Sequence, residues 1–260
     1  MGELKRFTTD KLRVIIASDR AAMGEIAGRD AAEAIKKAIA ARGEANVMFA
    51  AAPSQNDTLA TLCADGGVDW SKVNAFHMDE YIGLPEDHPA GFRNFLKKAI
   101  FNKFPFKSVN LLNGNAENID GEIARYSELL DEHPLDVVIL GIGENGHIAF
   151  NEPSVADFQD KANVKRVKLE EVCRMQQVHD GCFTAINEVP THALSVTIPP
   201  MIRGKVMICS APCATKAHAA ERMVNGEVSV SCPASVLRTH GDATLYLDAD
   251  SGRELLKEKP

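Results

Sequence analysis

The stretch DVVILGIGENGHIAFNEP, residues 136–153, decides the fold of this chain. Its apolar run, Val137–Leu140, stops at a glycine-rich loop, and His147 and Glu152 follow the loop closely. Short apolar runs that stop at glycines are typical of buried strands that enter a ligand loop. In open α/β sheets, ligands bind at the carboxyl ends of the strands. The stretch therefore predicts a strand that delivers a histidine and a carboxylate to the ligand-binding edge of a sheet.

Two other interpretations of the loop have to be weighed. Gly141, Gly143 and Gly146 match the GxGxxG fingerprint of dinucleotide-binding proteins, which requires a helix at the last glycine and an acidic residue about 20 positions later. Here HIAFNEP follows, and Pro153 stops a helix almost at its start, so dinucleotide binding is disfavoured. A tight turn in which His147 only hydrogen-bonds the backbone stays open.

Composition indicates a globular protein with one α/β domain. The 260 residues are 45% hydrophobic and 25% charged, which is ordinary for this class. A net charge of −7 argues against general nucleic-acid binding. No stretch approaches the roughly 20 apolar residues of a membrane helix, and the N-terminus has no apolar signal region. We therefore expect a cytoplasmic protein that binds neither nucleic acid nor membrane.

The six cysteines are predicted to be reduced thiols, since the chain is large and carries no export signal. Cys209 and Cys213 form CxxxC without a second cluster at zinc spacing. No metal site is predicted.

Apolar runs alternate with segments of helical periodicity along the rest of the chain, which predicts an α/β fold with a largely parallel sheet. Ser18 or Asp19 is expected to cap the first helix and Gly43 to end it. The less periodic, more polar segment 157–190 is predicted to form a lid. The predicted strands span residues 12–17, 46–52, 73–78, 136–140, 206–209 and 245–247, and the later helices span 91–104 and 119–130.

Carboxylates close the strand 73–78 at the same predicted edge. Asp79 and Glu80 are adjacent on an extended chain, so only one of them faces the pocket. A carboxylate base near a histidine acid suits proton transfer, although Asp79 as a mere cap is the alternative. We expect Glu152 to orient His147 and favour its protonated form.

Other polar residues near strand ends are candidates for binding. Asn145 is a hydrogen-bond partner for a reacting hydroxyl but does not titrate. Ser54, Gln55 and Asn56 lie between a strand and a helix and offer donors to an anion, with capping as an equally open role. Lys216 is a candidate point charge for a phosphate, against the alternative of an ordinary solvated lysine.

Longer motifs resemble the glucosamine-6-phosphate deaminase/isomerase family. They are FHMDEYIGLPEDHP (76–89), NLLNGNA (110–116), LGIGENGHIAFNEP (140–153), PTHALSVTIPPM (190–201), Lys216 and SCPAS (231–235). The resemblance implies a Rossmann-like three-layer α/β/α fold. It also implies cofactor-free conversion of glucosamine 6-phosphate and water to fructose 6-phosphate and ammonia.

The resemblance assigns roles to single residues. Asp79 matches the base that moves a proton between C2 and C1, and His147 matches the residue that assists ring opening. Glu152 matches the charged partner of that histidine, with Asn145 beside it as the fourth catalytic residue. The expected substrate-binding residues are Ser54, Gln55, Asn56, Glu80, Gly143 and Lys216.

Three departures from the family pattern concern the substrate more than the reaction. Asn145 stands where many members carry Asp, which should lower the pKa of His147. The phosphate loop PTGGTP appears as PSQNDT (53–58), which loses two glycines and adds Asp57. The arginine that many members use for phosphate has no counterpart in 175–179.

Two alternative functions remain at this stage. A 6-phosphogluconolactonase-like hydrolase also has a glycine loop followed by histidine, but lactone hydrolysis needs no carboxylate at C2. A non-catalytic sugar-phosphate sensor would bind the phosphosugar and release no ammonia. The preferred amino sugar, allosteric control and assembly stay undecided, and a homo-oligomer is compatible with the sequence.

Overall fold

The computed structural model describes residues 2–257, which form a three-layer α/β/α domain. Its main sheet has the strand order β1-β2-β11-β10-β7-β3-β4-β6, and all neighbours are parallel except the β1–β2 pair. The predicted fold class is confirmed. The strands are β1 (Glu3–Thr9), β2 (Leu12–Ala17), β3 (Ala45–Phe49), β4 (Val73–His77), β6 (Ser108–Asn110), β7 (Val137–Leu140), β10 (Val206–Ser210) and β11 (Ala243–Leu247).

Helices cover both faces of this sheet and make two apolar cores. The central strands are buried on both faces, which explains why they are continuous apolar runs in the sequence. The helices are α1 (Arg20–Arg42), α2 (Asn56–Ala64), α3 (Phe92–Leu96), α4 (Ile119–Glu132), α5 (Glu171–His179), α6 (Ile198–Ile202), α7 (Ala217–Asn225) and α8 (Arg253–Leu256). Within residues 2–257, none of them is both long and apolar enough to cross a membrane.

Helix α1 begins and ends as the sequence predicts. The Asp19 carboxylate accepts a hydrogen bond from the Ala22 amide, and Gly43 adopts φ = 84° and donates to the Ile39 carbonyl. Two glycines of α1 let α2 pack closely. A Cβ on Gly24 would lie 2.3 Å from Asp57 Cβ, and one on Gly28 would lie 2.6 Å from the Thr58 carbonyl oxygen.

A small antiparallel sheet was not predicted. It contains β5 (Asp79–Tyr81), β9 (His192–Val196) and β8 (Val164–Lys168), in that order. Asp79 therefore begins a new strand after β4 and does not simply end the preceding one. The segment 157–190 contains β8 and α5, so it is more regular than its sequence suggests. Its movement as a lid stays a prediction.

Helix 91–104 is shorter and less regular than predicted. Helix α3 ends at Leu96, and a π-helical turn over Lys97–Phe101 continues it. The other predicted boundaries agree within a few residues. Strands β1 and β6 lie at the two edges of the main sheet and were missed because they are short or exposed.

Candidate active site

A cavity opens at the carboxyl ends of the neighbouring strands β7, β3 and β4, where the glycine loop was expected to bind a ligand. It brings together three of the predicted site residues that are far apart in sequence, namely Ser54, Asp79 and His147, and it includes Gly143. The full lining consists of Ala50, Ala51, Ala52, Ser54, Met78, Asp79, Phe92, Gly141, Ile142, Gly143, His147, Ala149, Phe150, Gln176 and Gln177.

The glycine loop places the His147 ring. A Cβ on Gly143 would lie 2.1 Å from His147 Cε1 and 2.4 Å from Nε2, so the imidazole occupies the space that a side chain would take. Gly146 has φ = 84°, a left-handed conformation that favours glycine. The histidine thus lies directly against the loop backbone, at the ligand-binding edge of the sheet where the sequence predicted it.

Asn145 holds the imidazole through its amide oxygen. His147 Nδ1 lies 2.8 Å from Asn145 Oδ1, and since that oxygen only accepts, Nδ1 carries the proton. Burial, together with the nearby Lys216 ammonium, lowers the pKa of His147 to about 3. The expectation that Glu152 favours imidazolium is therefore wrong, because burial and the Lys216 charge both favour the neutral ring. The ring is neutral, with its lone pair on Nε2.

Glu152 is the more easily protonated group of this pair. Burial raises its pKa to about 7, although the amide of Glu170 and the side chains of Cys173 and Asn145 favour the ionised form. The Glu170 amide donates to Glu152 Oε1 at 2.9 Å. Within residues 2–257, Oε2 is buried without a hydrogen-bond partner.

Asp79 is the carboxylate that faces the cavity, with 8% of its surface exposed. Burial, and then the negative charge of Glu80, raise its pKa well above the usual range for aspartate. A buried carboxylate with a raised pKa has the properties of a general base for a weakly acidic proton.

Glu80 is turned away from the cavity and supports α3. Its carboxylate accepts hydrogen bonds from the amides of Tyr81 at 3.0 Å, Phe92 at 3.1 Å and Arg93 at 2.9 Å. Its position therefore does not support the predicted substrate contact. The sequence argument that only one of two adjacent carboxylates enters the pocket agrees with this arrangement.

Only one residue of the Ser54–Asn56 loop lines the cavity. Ser54 does so, whereas Gln55 is fully buried and donates from Nε2 to Ser54 Oγ and to the Ser210 carbonyl, both at 3.1 Å. Asn56 is the first residue of α2 and is exposed. Gln55 and Asn56 are thus placed to support the loop and begin the helix, and not to contact a ligand in this cavity.

Asp57 does not add negative charge to the cavity, because it pairs with Arg20 of α1. Arg20 Nε lies 2.5 Å from Asp57 Oδ2, and Arg20 also donates to the Pro53 carbonyl. This Arg20–Asp57 bridge ties the altered loop to α1.

Lys216 is buried, with 4% of its surface exposed, and its Nζ has no hydrogen-bond partner within residues 2–257. Burial lowers its pKa, and the Asp180 and Glu144 carboxylates oppose that shift. Cys213, just before the turn that carries this lysine, adopts φ = 80°, a conformation that costs about 1–3 kcal/mol in a non-glycine residue. Lys216 is not one of the residues that line the described cavity, but it lies close enough to His147 for its charge to lower the pKa of that residue.

Gln176 and Gln177 line the cavity, and the sequence analysis missed them. Gln176 Oε1 accepts from the Glu144 amide at 3.0 Å, which links α5 to the glycine loop. The nearby Arg174 is turned away and donates to the carbonyls of Val189 and Ile186. The sequence carried no signal for them, because both glutamines reach the cavity only through the packing of α5.

A family model described as "Glucosamine-6-phosphate isomerases/6-phosphogluconolactonase" matches residues 18–246. The chain belongs to this family. A glucosamine-6-phosphate deaminase of Listeria monocytogenes serotype 4a is 37% identical over 223 residues, which cover 86% of this chain and 93% of that protein. One of Enterococcus faecalis is 34% identical over 236 residues, which cover 91% and 98%.

Solved structures of the glucosamine-6-phosphate isomerase/6-phosphogluconolactonase family share the fold. A monomeric glucosamine-6-phosphate deaminase superimposes with a TM-score of 0.84 at 28% identity and covers 92% of this chain and 98% of its own. The 6-phosphogluconolactonase of Trypanosoma cruzi gives a TM-score of 0.76 at 15% identity, over 98% and 100%. The second likeness concerns the fold alone.

Proposed function

We propose that this chain is a glucosamine-6-phosphate deaminase, which converts glucosamine 6-phosphate and water to fructose 6-phosphate and ammonia. The observation that carries the proposal is one cavity lined by a buried carboxylate, Asp79, and a neutral histidine, His147. The deaminase names of relatives at 34–37% identity support the same reaction.

His147 is suited to opening the sugar ring. Its neutral Nε2 accepts the proton of the C1 hydroxyl and returns a proton to the ring oxygen, so the ring opens without net charge on the histidine. Asn145 keeps Nδ1 protonated throughout. A ring with a pKa of about 3 resists lasting protonation and therefore passes the proton on.

Asp79 performs the isomerisation. As a carboxylate it removes the proton from C2 of the open-chain aldehyde while the C1 oxygen takes up a proton from the C2 ammonium group, which gives an enediol-type intermediate that carries nitrogen at C2, and Asp79 then delivers its proton to C1. The C2 carbon then becomes an imine, and water replaces its nitrogen and releases ammonia. The raised pKa of Asp79 strengthens it as a base for a carbon acid.

In this proposal the phosphate end of the site is formed by Lys216, Ser54, Gln176 and Gln177. Lys216 supplies the positive charge, and the absence of a partner for its Nζ within residues 2–257 supports a role that a bound anion completes. The Ser54 hydroxyl and the glutamine amides are neutral donors. Phosphate is therefore held by one cation and neutral groups, and Arg174, turned away, supplies no second charge.

The test is ammonia release from the purified protein with glucosamine 6-phosphate, galactosamine 6-phosphate and 6-phosphogluconolactone in parallel. We expect stoichiometric ammonia and fructose 6-phosphate from the glucosamine compound. Hydrolysis of the lactone alone would overturn the proposal in favour of the lactonase. Binding of the amino sugar without ammonia release would favour the sensor.

A further inference from the structure

Cys173 lies beside the catalytic loop, although it is distant from it in sequence. One ring nitrogen of His147, one carboxylate oxygen of Glu152 and the Cys173 sulfur all lie within 4.8 Å of one another. All three residues are buried. The first two come from the loop after β7, and Cys173 comes from α5, so no sequence spacing indicates this cluster.

We propose that His147, Glu152 and Cys173 form a zinc site, at which Zn²⁺ binds in competition with the sugar substrate and inhibits the enzyme. Thiolate, imidazole and carboxylate are the three side-chain ligands that zinc uses in proteins, and three protein ligands leave a fourth position for water. Metal binding stands independently of the proposed function, whereas inhibition rests on it.

Each donor has capacity for a metal. Glu152 uses Oε1 to accept from the Glu170 amide, and Oε2 has no partner within residues 2–257. The His147 ring is neutral, and because Nδ1 donates to Asn145, its lone pair lies on Nε2. Burial, and then the negative charges of Glu152 and Asp79, raise the pKa of the Cys173 thiol well above its usual range, so the metal has to displace the thiol proton when it coordinates the sulfur.

The geometry requires only a small contraction. Zinc bonds of about 2.0–2.3 Å place tetrahedral ligands roughly 3.3–3.8 Å apart, so movements of about 1 Å close the observed cluster around the ion. The nearby Lys216 ammonium opposes a second positive charge. It therefore limits the affinity, and removing that charge should strengthen zinc binding.

The direct test is metal binding to the full-length protein after treatment with a chelator. Competition with a chromophoric chelator should show one Zn²⁺ per chain, and Co²⁺ in its place should give the near-ultraviolet absorption of a cobalt–thiolate bond. Zinc buffered over the same range should inhibit ammonia release competitively, so that the apparent inhibition constant rises with sugar concentration and extrapolates to the directly measured dissociation constant at zero substrate. Zinc binding and the Co²⁺ band do not depend on the protein being active, so they still test the site if no amino-sugar phosphate is turned over.

Variants locate the site. Cys173→Ser should weaken zinc binding roughly 100-fold, since losing even an outer partner of a ligand costs roughly 10–100-fold. The matched control Cys182→Ser removes a half-buried thiol just after α5 and should leave affinity within about twofold. Lys216→Met should tighten zinc binding.

Two results would overturn the proposal: unchanged zinc affinity in Cys173→Ser, or a wild-type Co²⁺ complex without the cobalt–thiolate band. If Cys173→Ser does not fold, the cobalt–thiolate band of the wild-type protein decides the matter.

Discussion

The two ends of the cavity are constructed differently. At the proton-transfer end, one short loop supplies Asn145, His147 and Glu152, and Gly143 leaves the space in which the histidine lies. At the proposed phosphate end, Ser54 and Lys216 come from separate segments of the chain: Ser54 lines the cavity, and Lys216 is buried near His147 with no partner for its Nζ within residues 2–257. The first end is prearranged by local backbone geometry. In the proposed function the second is completed by the bound phosphate, so substitutions at the two ends should produce different kinetic signatures.

The largest effect is expected from Asp79→Asn. The amide cannot accept the C2 proton, so kcat should fall roughly 10²–10⁴-fold. Steady-state kinetics with glucosamine 6-phosphate measure the loss of turnover. Binding of a non-reacting phosphosugar shows whether the variant keeps its affinity for the substrate. In the control Glu80→Gln, the remaining oxygen still accepts from the Tyr81 and Phe92 amides while the acceptor of the Arg93 amide is lost, so we expect a modest loss of stability and retention of most of the activity. A fully active Asp79→Asn enzyme would show that another group is the base.

Gly143→Ala tests whether the proton-transfer end is truly prearranged. The new Cβ would lie 2.1 Å from His147 Cε1, so the ring has to move. Because a displacement of about 1 Å can cost about 10²-fold, we expect a fall of that order in kcat with little change in KM. Gly241→Ala is the control, since a Cβ there meets nothing within 4 Å. Equal activity of the two variants would contradict the assigned position of His147.

Lys216→Met should separate binding from stability at the phosphate end. Loss of a charge-assisted contact of about 1.5–3 kcal/mol should raise KM roughly 10–100-fold. The ligand-free protein should melt at a higher temperature, because a buried unpaired charge is replaced by an apolar side chain of similar size. Calorimetry with and without inorganic phosphate measures this, with the exposed Lys168→Met as control. A lower melting temperature would show that Lys216 has a structural role.

The smallest effect concerns pH. Asp79 acts as a carboxylate, and its pKa is raised, so kcat/KM should fall as the pH decreases through that raised value, above the usual range for aspartate. Glu80→Gln removes the negative neighbour and should move this acidic limb to lower pH. The pH profile of chelator-treated enzyme measures the shift. If the acidic limb of the kcat/KM profile does not move in Glu80→Gln, the limb reports the titration of a group other than Asp79.

The sequence predicts well what local patterns determine. The central strands and the Asp19 and Gly43 caps follow from apolar runs and short-range hydrogen bonds. The position of His147 after a glycine loop follows in the same way. Pairing between distant segments is not visible in this manner, which is why the small sheet that begins at Asp79 was missed.

Side-chain environments are the second part that the sequence leaves open. Whether Glu80 faces a cavity or a helix depends on α3, which lies beyond the next turn. The charge state of His147 depends on its burial and on Lys216, from the far end of the chain. Gln177 and Cys173 reach the site only through the packing of α5. Each of these outcomes is decided by tertiary contacts.

The Arg20–Asp57 bridge constrains how this protein can change over time. Asp57 lies where Gly24 of α1 permits direct contact, and loss of Arg20 alone would leave the Asp57 carboxylate without this cation beside the Ser54 loop. The two positions should therefore vary together among descendants of this chain. For the same reason, an engineer who restores a glycine-rich loop at 53–58 has to redesign the first turns of α1 as well. Substitutions in the altered loop and in the first turns of α1 therefore have to be made together.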